Sequence, residues 1–493
     1  MKYKIIGLSA VALVLWAVIL ISFLMPEDNG KRYIEHVTAE EKTPCNLHVE
    51  GTLCTHLPIV SINTKGVEIP GKPIYDEDDY VIGYTTAQDG TTTIKATLDV
   101  VDNESTYNHI SDTAESMGEI MIRVRGHSSR RFEKPNYFLR FVNSDGTNNA
   151  QEFLGMDAHH EWALHGPFLD KTLIRNYMWY NIAGEIMEYS PNVRFCELIV
   201  NGEYRGLYLA LEMITAGKEG ARLNLQVNKK DNTFSGYALR LDWGDTEEEN
   251  KFYPFTNYTT RAKTQHELVY PGAKNMTPEL KEAIKNEFSL FEKTLYSYDY
   301  KSDKYGYENY IDVDSFVDYF LINELTCNYD AGSLSTYMYK DVDGKYKMCV
   351  WDFNSACDFY QESAVPTDDF RLVSALWYQM FFKDPDFTDR VIERYYELRK
   401  TVFSEEYLFD FIDGTVEYLD TAIDRNFEKW GYTFDKEYDL LHPSARNPRT
   451  YEESITQLKN FLTKRIAFMD ENIESLRQNS AESKTKKYNE GSE

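Results

Sequence analysis

The sequence predicts an α+β protein, β-rich in its first part and mainly helical in its second, preceded by one transmembrane helix. Three observations predict it. Ile5 to Met25 is an uncharged run of 21 residues, long enough for a helix to cross a bilayer. From Leu57, short apolar runs such as LPIVSI and TTTIKATLDVV are separated by Gly, Asp and Asn turn signals, as strands are. Beyond residue 275 the apolar residues recur at helical spacing, in TPELKEAIKNEFSLFEKTL, in SFVDYFLINEL and in stretches near 385–400, 404–425 and 451–476.

In chain order, residues 1–4 carry Lys2 and Lys4, which keeps the N-terminus cytoplasmic and places the rest outside. No small-x-small site precedes Pro26, so residues 5–25 read as an uncleaved signal anchor and the domain as single-pass, membrane-anchored and extracytoplasmic. Residues 26–56 read as a polar linker. It holds Cys45 and Cys54, nine apart, a separation that suits a small disulfide loop in an oxidising compartment. The other four cysteines lie in apolar stretches and read as buried hydrophobes. The folded domain is expected over 57–478, with a β-rich lobe at about 57–275 and a helical lobe at about 276–478. Residues 479–493 are polar and read as a disordered tail.

The 493 residues carry a formal net charge of -27. A polyanion is repelled by such a chain, so general nucleic-acid binding is excluded as a function class. Against that background the segment MIRVRGHSSRRFEKPNYFLRF stands out, with six basic residues from Arg123 to Arg140 and one acidic residue, Glu133. Ile120, Ile122 and Val124 alternate with Met121, Arg123 and Arg125, the mark of a strand with one buried face. Turn formers then interrupt it, and YFLRFV resumes as a second strand. Such a loop can offer backbone N–H groups and the Ser128 and Ser129 hydroxyls to an anion. A solvated hairpin with ordinary surface charge fits the same segment.

Further along, Asp170 reads as the N-cap of a helix in which Ile174, Met178, Ile182 and Ile186 recur at helical spacing. Asn201-Gly202 between two apolar runs reads as a β-hairpin. In NYDAGSLSTYMYKDVDGKYKMCVWDFN, Asp330 follows a helix, STYMYK and KYKMCVW read as two strands around a DVDG turn, and Asp352 ends the second. Protein kinases place a base Asp, a polar metal ligand five residues on, a hairpin and a metal-binding Asp in the same order. Here those places fall at Asp330, Ser335 and Asp352.

The motifs RGHSSRRFEKPNYFLRF, EFLGMDAHHEWALHGPFLDKTLIRNYMWY, LIVNGEYRGLYLALEMI, NELTCNYD and VWDFN together resemble the spore-coat CotH kinase family. The resemblance covers about Leu57 to Tyr360. It implies a divergent protein-kinase-like two-lobed fold that binds ATP and Mg²⁺ and phosphorylates Ser or Thr of surface or coat proteins. It also implies roles. Asp352 is the metal-binding Asp and Asp330 the catalytic-loop Asp; Lys134 and Arg140 are the candidates for the cation on the phosphates. Arg125, Ser128 and Ser129 line the loop over them, and Glu212 orients a cation. Two departures weaken the charge on the metal: Asn354 stands where the family commonly has a second Asp, and Ser335 where an Asn is expected. The alternative is a catalytically weak or inactive surface protein serving as a structural or adhesive binding module. His165, among apolar residues, reads as packed and hydrogen-bonded rather than as a general base.

Overall fold

In the stretch Glu203–Glu212 the side chains alternate between two cores. Tyr208 and Ala210 enter one, Leu207, Leu209 and Leu211 the other, because successive residues of a strand point to opposite faces. The structure, a computed structural model, describes residues 32–44, 53–217, 222–226, 235–244, 250–258, 264–272 and 275–480. The anchor at 5–25, Cys45 and residues 481–493 of the tail lie outside the described residues. Among the described residues no helix is long and apolar enough to cross a membrane.

Seven strands close into a barrel in the order Glu161–His165, Glu203–Glu212, Val193–Val200, Ile59–Asn63, Ile94–Val101, Glu115–Arg125 and Asn136–Val142, the last pairing back to the first. Every pairing is antiparallel except that of Val193–Val200 with Ile59–Asn63. Val60, Leu98, Ile122, Leu139, Trp162 and Leu198 fill the interior. Asn201 and Gly202 take φ of 53° and 80°, as the type I′ hairpin turn demands.

A second sheet runs Lys251–Phe252, Gln265–Tyr270, Tyr237–Asp242, Thr336–Lys340, Lys347–Cys349. It takes strands from both sides of residue 275, so the expected boundary there marks where helix begins to dominate and not a division between sheets. The α+β organisation, β-rich first and helical second, holds. The long helices Pro278–Leu295, Val313–Thr326, Pro385–Leu398, Glu405–Leu419 and Tyr451–Asn472 each begin at a side-chain cap, from Thr277, Asp312, Asp384, Ser404 and Thr450.

The helix Arg175–Ile186 starts later than the sequence predicts. Asp170 is not its N-cap. Its carboxylate instead accepts from the N–H groups of Thr172 and Arg175, both at 3.0 Å, and pairs with the Arg175 guanidinium, organising the turn that precedes the helix.

The stretch read as linker is partly built into the domain. Glu35 is 3% exposed; its carboxylate accepts from Arg194 Nε at 2.7 Å and from the Phe195 N–H at 2.8 Å. The neighbouring His36 ring meets Phe411 of the helix Glu405–Leu419 at 4.3 Å. Residues 33–36 thus strap the barrel to a helix of the second half. Glu35→Ala takes away the carboxylate partner of Arg194, leaving its guanidinium only the Leu154 carbonyl, and urea unfolding of the chain is expected to show a loss on the order of 3 kcal/mol. An unchanged midpoint would show the strap to be incidental.

Candidate functional site

Three chain segments bring Asp242, Asp330 and Asp352 to one cleft of about 700 Å³, lined also by Glu362, between the outer face of the barrel and the second sheet. The register of that sheet explains two of them. Leu241 pairs with Thr336 and Tyr337 with Cys349, so Asp242, Ser335 and the segment leading to Asp352 emerge at the same edge. The third, Asp330, comes from the helix Val313–Thr326, which ends at Cys327 in the left-handed region with φ of 45° and turns the chain sharply into Asn328-Tyr329-Asp330.

These loops are held by hydrogen bonds and stacked rings. Asn328 Nδ2 donates to the Asp352 carbonyl at 3.1 Å, the Asp352 N–H to the Tyr180 hydroxyl at 2.9 Å, and the Asn354 N–H to Asp352 Oδ1 at 3.0 Å. The Tyr329 and Tyr360 rings stack at 3.6 Å, with the Arg371 guanidinium 3.8 Å over Tyr329. Ser335 and Asp352 adopt φ of 48° and 59°. Non-glycine residues in that region are sparse and gather at functional sites.

The electrostatics are those of a site built for a cation between acids and an anion below arginines. Burial, then the charge of Asp352, pushes the Asp330 carboxyl up to about 6, while Ser355 Oγ donates to it at 3.1 Å. Burial also raises Asp352, against the pull of the Asn354 N–H and of Arg125. Opposite stand Arg123 and Arg125, two apart and so on one face of Glu115–Arg125. Neither makes an ion pair among the described residues; Arg123 lies 5.0 Å over Phe138 and Arg125 5.4 Å over Trp351. Burial and the neighbouring Arg130 and Arg125 push Arg123 down to about 10.

The expected site residues divide accordingly. Arg125, Ser128, Ser129, Asp330, Ser335, Asp352 and Asn354 all line the cleft. The loop over it is compact because Gly126 has φ of 105° and a Cβ there would fall 2.1 Å from Ser129 Oγ. Asn354 Oδ1 already accepts from Asn176 Nδ2 at 2.9 Å and retains one lone pair.

Lys134, Arg140 and Glu212 do not line it. Lys134 is 1% exposed, its ammonium donates to Asn426 Oδ1 at 2.7 Å, and burial drives its pKa well down, so it serves helix Thr421–Trp430 and not the cleft. Arg140 lies beyond Phe138 along its strand, with Glu161 across from it in register. Glu212 points to the opposite face from Leu211 and accepts from the Asn192 N–H at 2.9 Å. His165 is buried, held down to about 3 by burial and hence neutral, with Asn176 Nδ2 donating to its Nε2 at 3.0 Å.

Sequence reasoning missed Arg123 as a site residue although the alternation had placed it beside Arg125. It also missed Asp242, whose signal was an acid ending a strand, in RLDWG, as Asp352 ends another.

Among the described residues no three His, Cys, Asp or Glu side chains converge on one point. The donors present are hard oxygens: the half-buried carboxylates of Asp330 and Asp352, both raised by desolvation, an amide carbonyl and a hydroxyl. That set fits Mg²⁺, which takes one or two carboxylates and completes its shell with water and phosphate.

The family model described as CotH kinase protein matches residues 122–469, well over half of the chain. The chain belongs to the CotH family. The matched span includes Arg123 and Arg125, both carboxylate loops and most of the C-terminal helices. Inner spore coat protein H of Bacillus subtilis (strain 168) is 22% identical over 238 residues, which is 48% of this chain and 58% of that protein. The chain thus spans little more than half the length of this CotH relative.

Proposed function

We propose that the cleft binds ATP and transfers its γ-phosphoryl group to a Ser or Thr hydroxyl of a protein substrate, the phosphotransferase chemistry to which the family's name points. The observation that carries this reading is the facing of Asp330 and Asp352 against Arg123 and Arg125, which form no ion pair among the described residues, in one cleft.

Arg123 and Arg125 bind phosphate oxygens, and the Ser128-Ser129 turn closes over them with hydroxyl and N–H donors. Asp352 would be the principal ligand for Mg²⁺, and Asn354 Oδ1 and Ser335 Oγ would offer further oxygens. When bound, the ion supplies charge neutralisation at the phosphates. Asp330 takes the acceptor hydroxyl's proton as its oxygen bonds to the γ-phosphorus; the bond to the β–γ bridging oxygen breaks and ADP leaves. Tyr329, clamped between Tyr360 and Arg371, keeps Asp330 in place. Residues 5–25 serve in this reading as the anchor that holds the domain at the outer membrane face.

Calorimetric titration of the full chain with ATP, with and without Mg²⁺, together with a phosphoryl-transfer assay, tests the proposal. Arg125→Met is expected to weaken nucleotide binding about tenfold, the worth of one charged hydrogen bond. Lys134→Met is expected to leave affinity within about twofold, because the lysine faces Asn426; the reverse ranking would restore Lys134 as the phosphate cation. ATP binding without transfer to any protein, including the chain itself, would favour the inactive binding module, with Asn354 and Ser335 as the cause.

A further inference from the structure

A second cavity, of about 650 Å³, opens at the mouth of the barrel. Ile69 and Tyr137 form an apolar floor, with Val124 beneath them. Its wall is the segment Arg130–Glu133, and Arg130, Arg131 and Phe132 also line the carboxylate cleft. One short segment therefore separates two spaces, and whatever fixes it from one side alters it on the other.

The rim is charged in an unequal way. Its three carboxylates are already engaged: Glu68 by Lys72 at 2.9 Å, Glu203 by Lys429 at 2.6 Å, and Glu133 by the Tyr432 hydroxyl at 3.0 Å. The Arg131 guanidinium donates to the neutral Gln361 side chain at 2.6 Å. Arg205 reaches Glu203 and the Glu133 carbonyl, each at 3.2 Å, while its Nε is buried with no partner among the described residues. Guanidinium charge thus stands over an apolar floor, in a volume of the size that takes a small organic ligand.

We propose that the barrel mouth is a second ligand site, for a small amphipathic anion with an apolar ring body and one acid group, coupled to the carboxylate cleft through Arg130–Glu133. The body rests on Ile69 and Tyr137, and the acid group meets Arg205 and Arg131. Arg131 in turn is bonded to Gln361 on the lip of the cleft, so occupancy biases how that lip is held. Coupling of this kind is reciprocal, so nucleotide must also change the anion's affinity. The site goes beyond the phosphotransferase reading and does not depend on it, whereas its coupling to nucleotide rests on that reading.

The probe is 1-anilinonaphthalene-8-sulfonate, an aromatic sulfonate whose fluorescence rises on leaving water, titrated into the full chain. One saturable site is expected. Arg205→Met and Val67→Trp should each weaken it by about tenfold; Val67 is 50% exposed on the rim, so a tryptophan there blocks the mouth without entering the core. An unchanged melting temperature of the Val67 variant shows that the fold is intact. Saturating ATP should shift the probe's affinity by about fivefold without displacing it. Absence of saturable binding, stoichiometric displacement by ATP, or an affinity indifferent to both substitutions overturns the site. An affinity indifferent to ATP that demonstrably binds overturns the coupling. A chain that binds no ATP at all removes the phosphotransferase reading and the coupling together, and leaves the site to be decided by the two variants.

Discussion

Asp352→Ala is expected to reduce phosphoryl transfer by on the order of a thousandfold and to remove the Mg²⁺ dependence of nucleotide binding. Asp352 has three anchors that put its carboxylate at one place: its N–H on Tyr180, its carbonyl on Asn328 and its Oδ1 on the Asn354 N–H. Alanine keeps the first two, so the loop stays and only the metal-holding charge goes. Titrations of the variant should give the same weak affinity with and without Mg²⁺. A variant that still binds tighter with Mg²⁺, or still transfers, would move the metal to Asp330 or Asp242.

Asp330→Asn is expected to leave nucleotide affinity nearly intact while transfer falls by on the order of a hundredfold or more, the signature of a lost base. The wild-type kcat/KM should fall as pH drops through about 6, where Asp330 takes up its proton, and that limb should vanish in the variant. Stability moves the other way. Because the folded-state pKa lies above the usual carboxylate value, Asp330 is best tolerated protonated; its contribution is favourable at low pH and is lost as pH rises through about 6. An asparagine at this position carries no such cost, so the variant is expected to be more stable than wild type at pH 7, by about 3 kcal/mol, and no more stable at pH 4. Equal stability at both pH values, with activity retained, would show Asp330 to be an ordinary solvated carboxylate.

Several features were legible because they depend on neighbours in the chain. The hairpin at Asn201-Gly202 needs positive φ at both positions, and that residue pair supplies it. The alternation around Ile122 separates interior residues from Arg123 and Arg125, since the pleat repeats every two residues. The same rule would have excluded Glu212: with Leu211 facing the cleft, its neighbour cannot. The helical spacing beyond residue 275 shows for the same local reason, and the resemblance was strong enough to pair Asp330 with Asp352.

Lys134 was not legible in this way. A lysine just past a Ser-Ser-Arg-Arg turn has the chemistry of a phosphate ligand, but its side chain is claimed by Asn426, 292 residues further on. Asp170 is a parallel case, since the Arg175 guanidinium draws it into a turn and the helix starts later. Glu35 sat in a polar stretch that looked like linker until Arg194 was placed beside it. Local sequence by itself determined strand and helix content, the turn chemistry, the alternating faces and the family with its two aspartates. Tertiary structure alone decided which charges meet: it closed the barrel, took Lys134 out of the cleft, brought in Arg123 and Asp242, and set the barrel-mouth cavity behind the loop. The reason is physical. Backbone preferences act over a few residues, whereas burial and pairing of charge depend on what packs alongside, and for Lys134 and Glu35 those partners lie more than a hundred residues away.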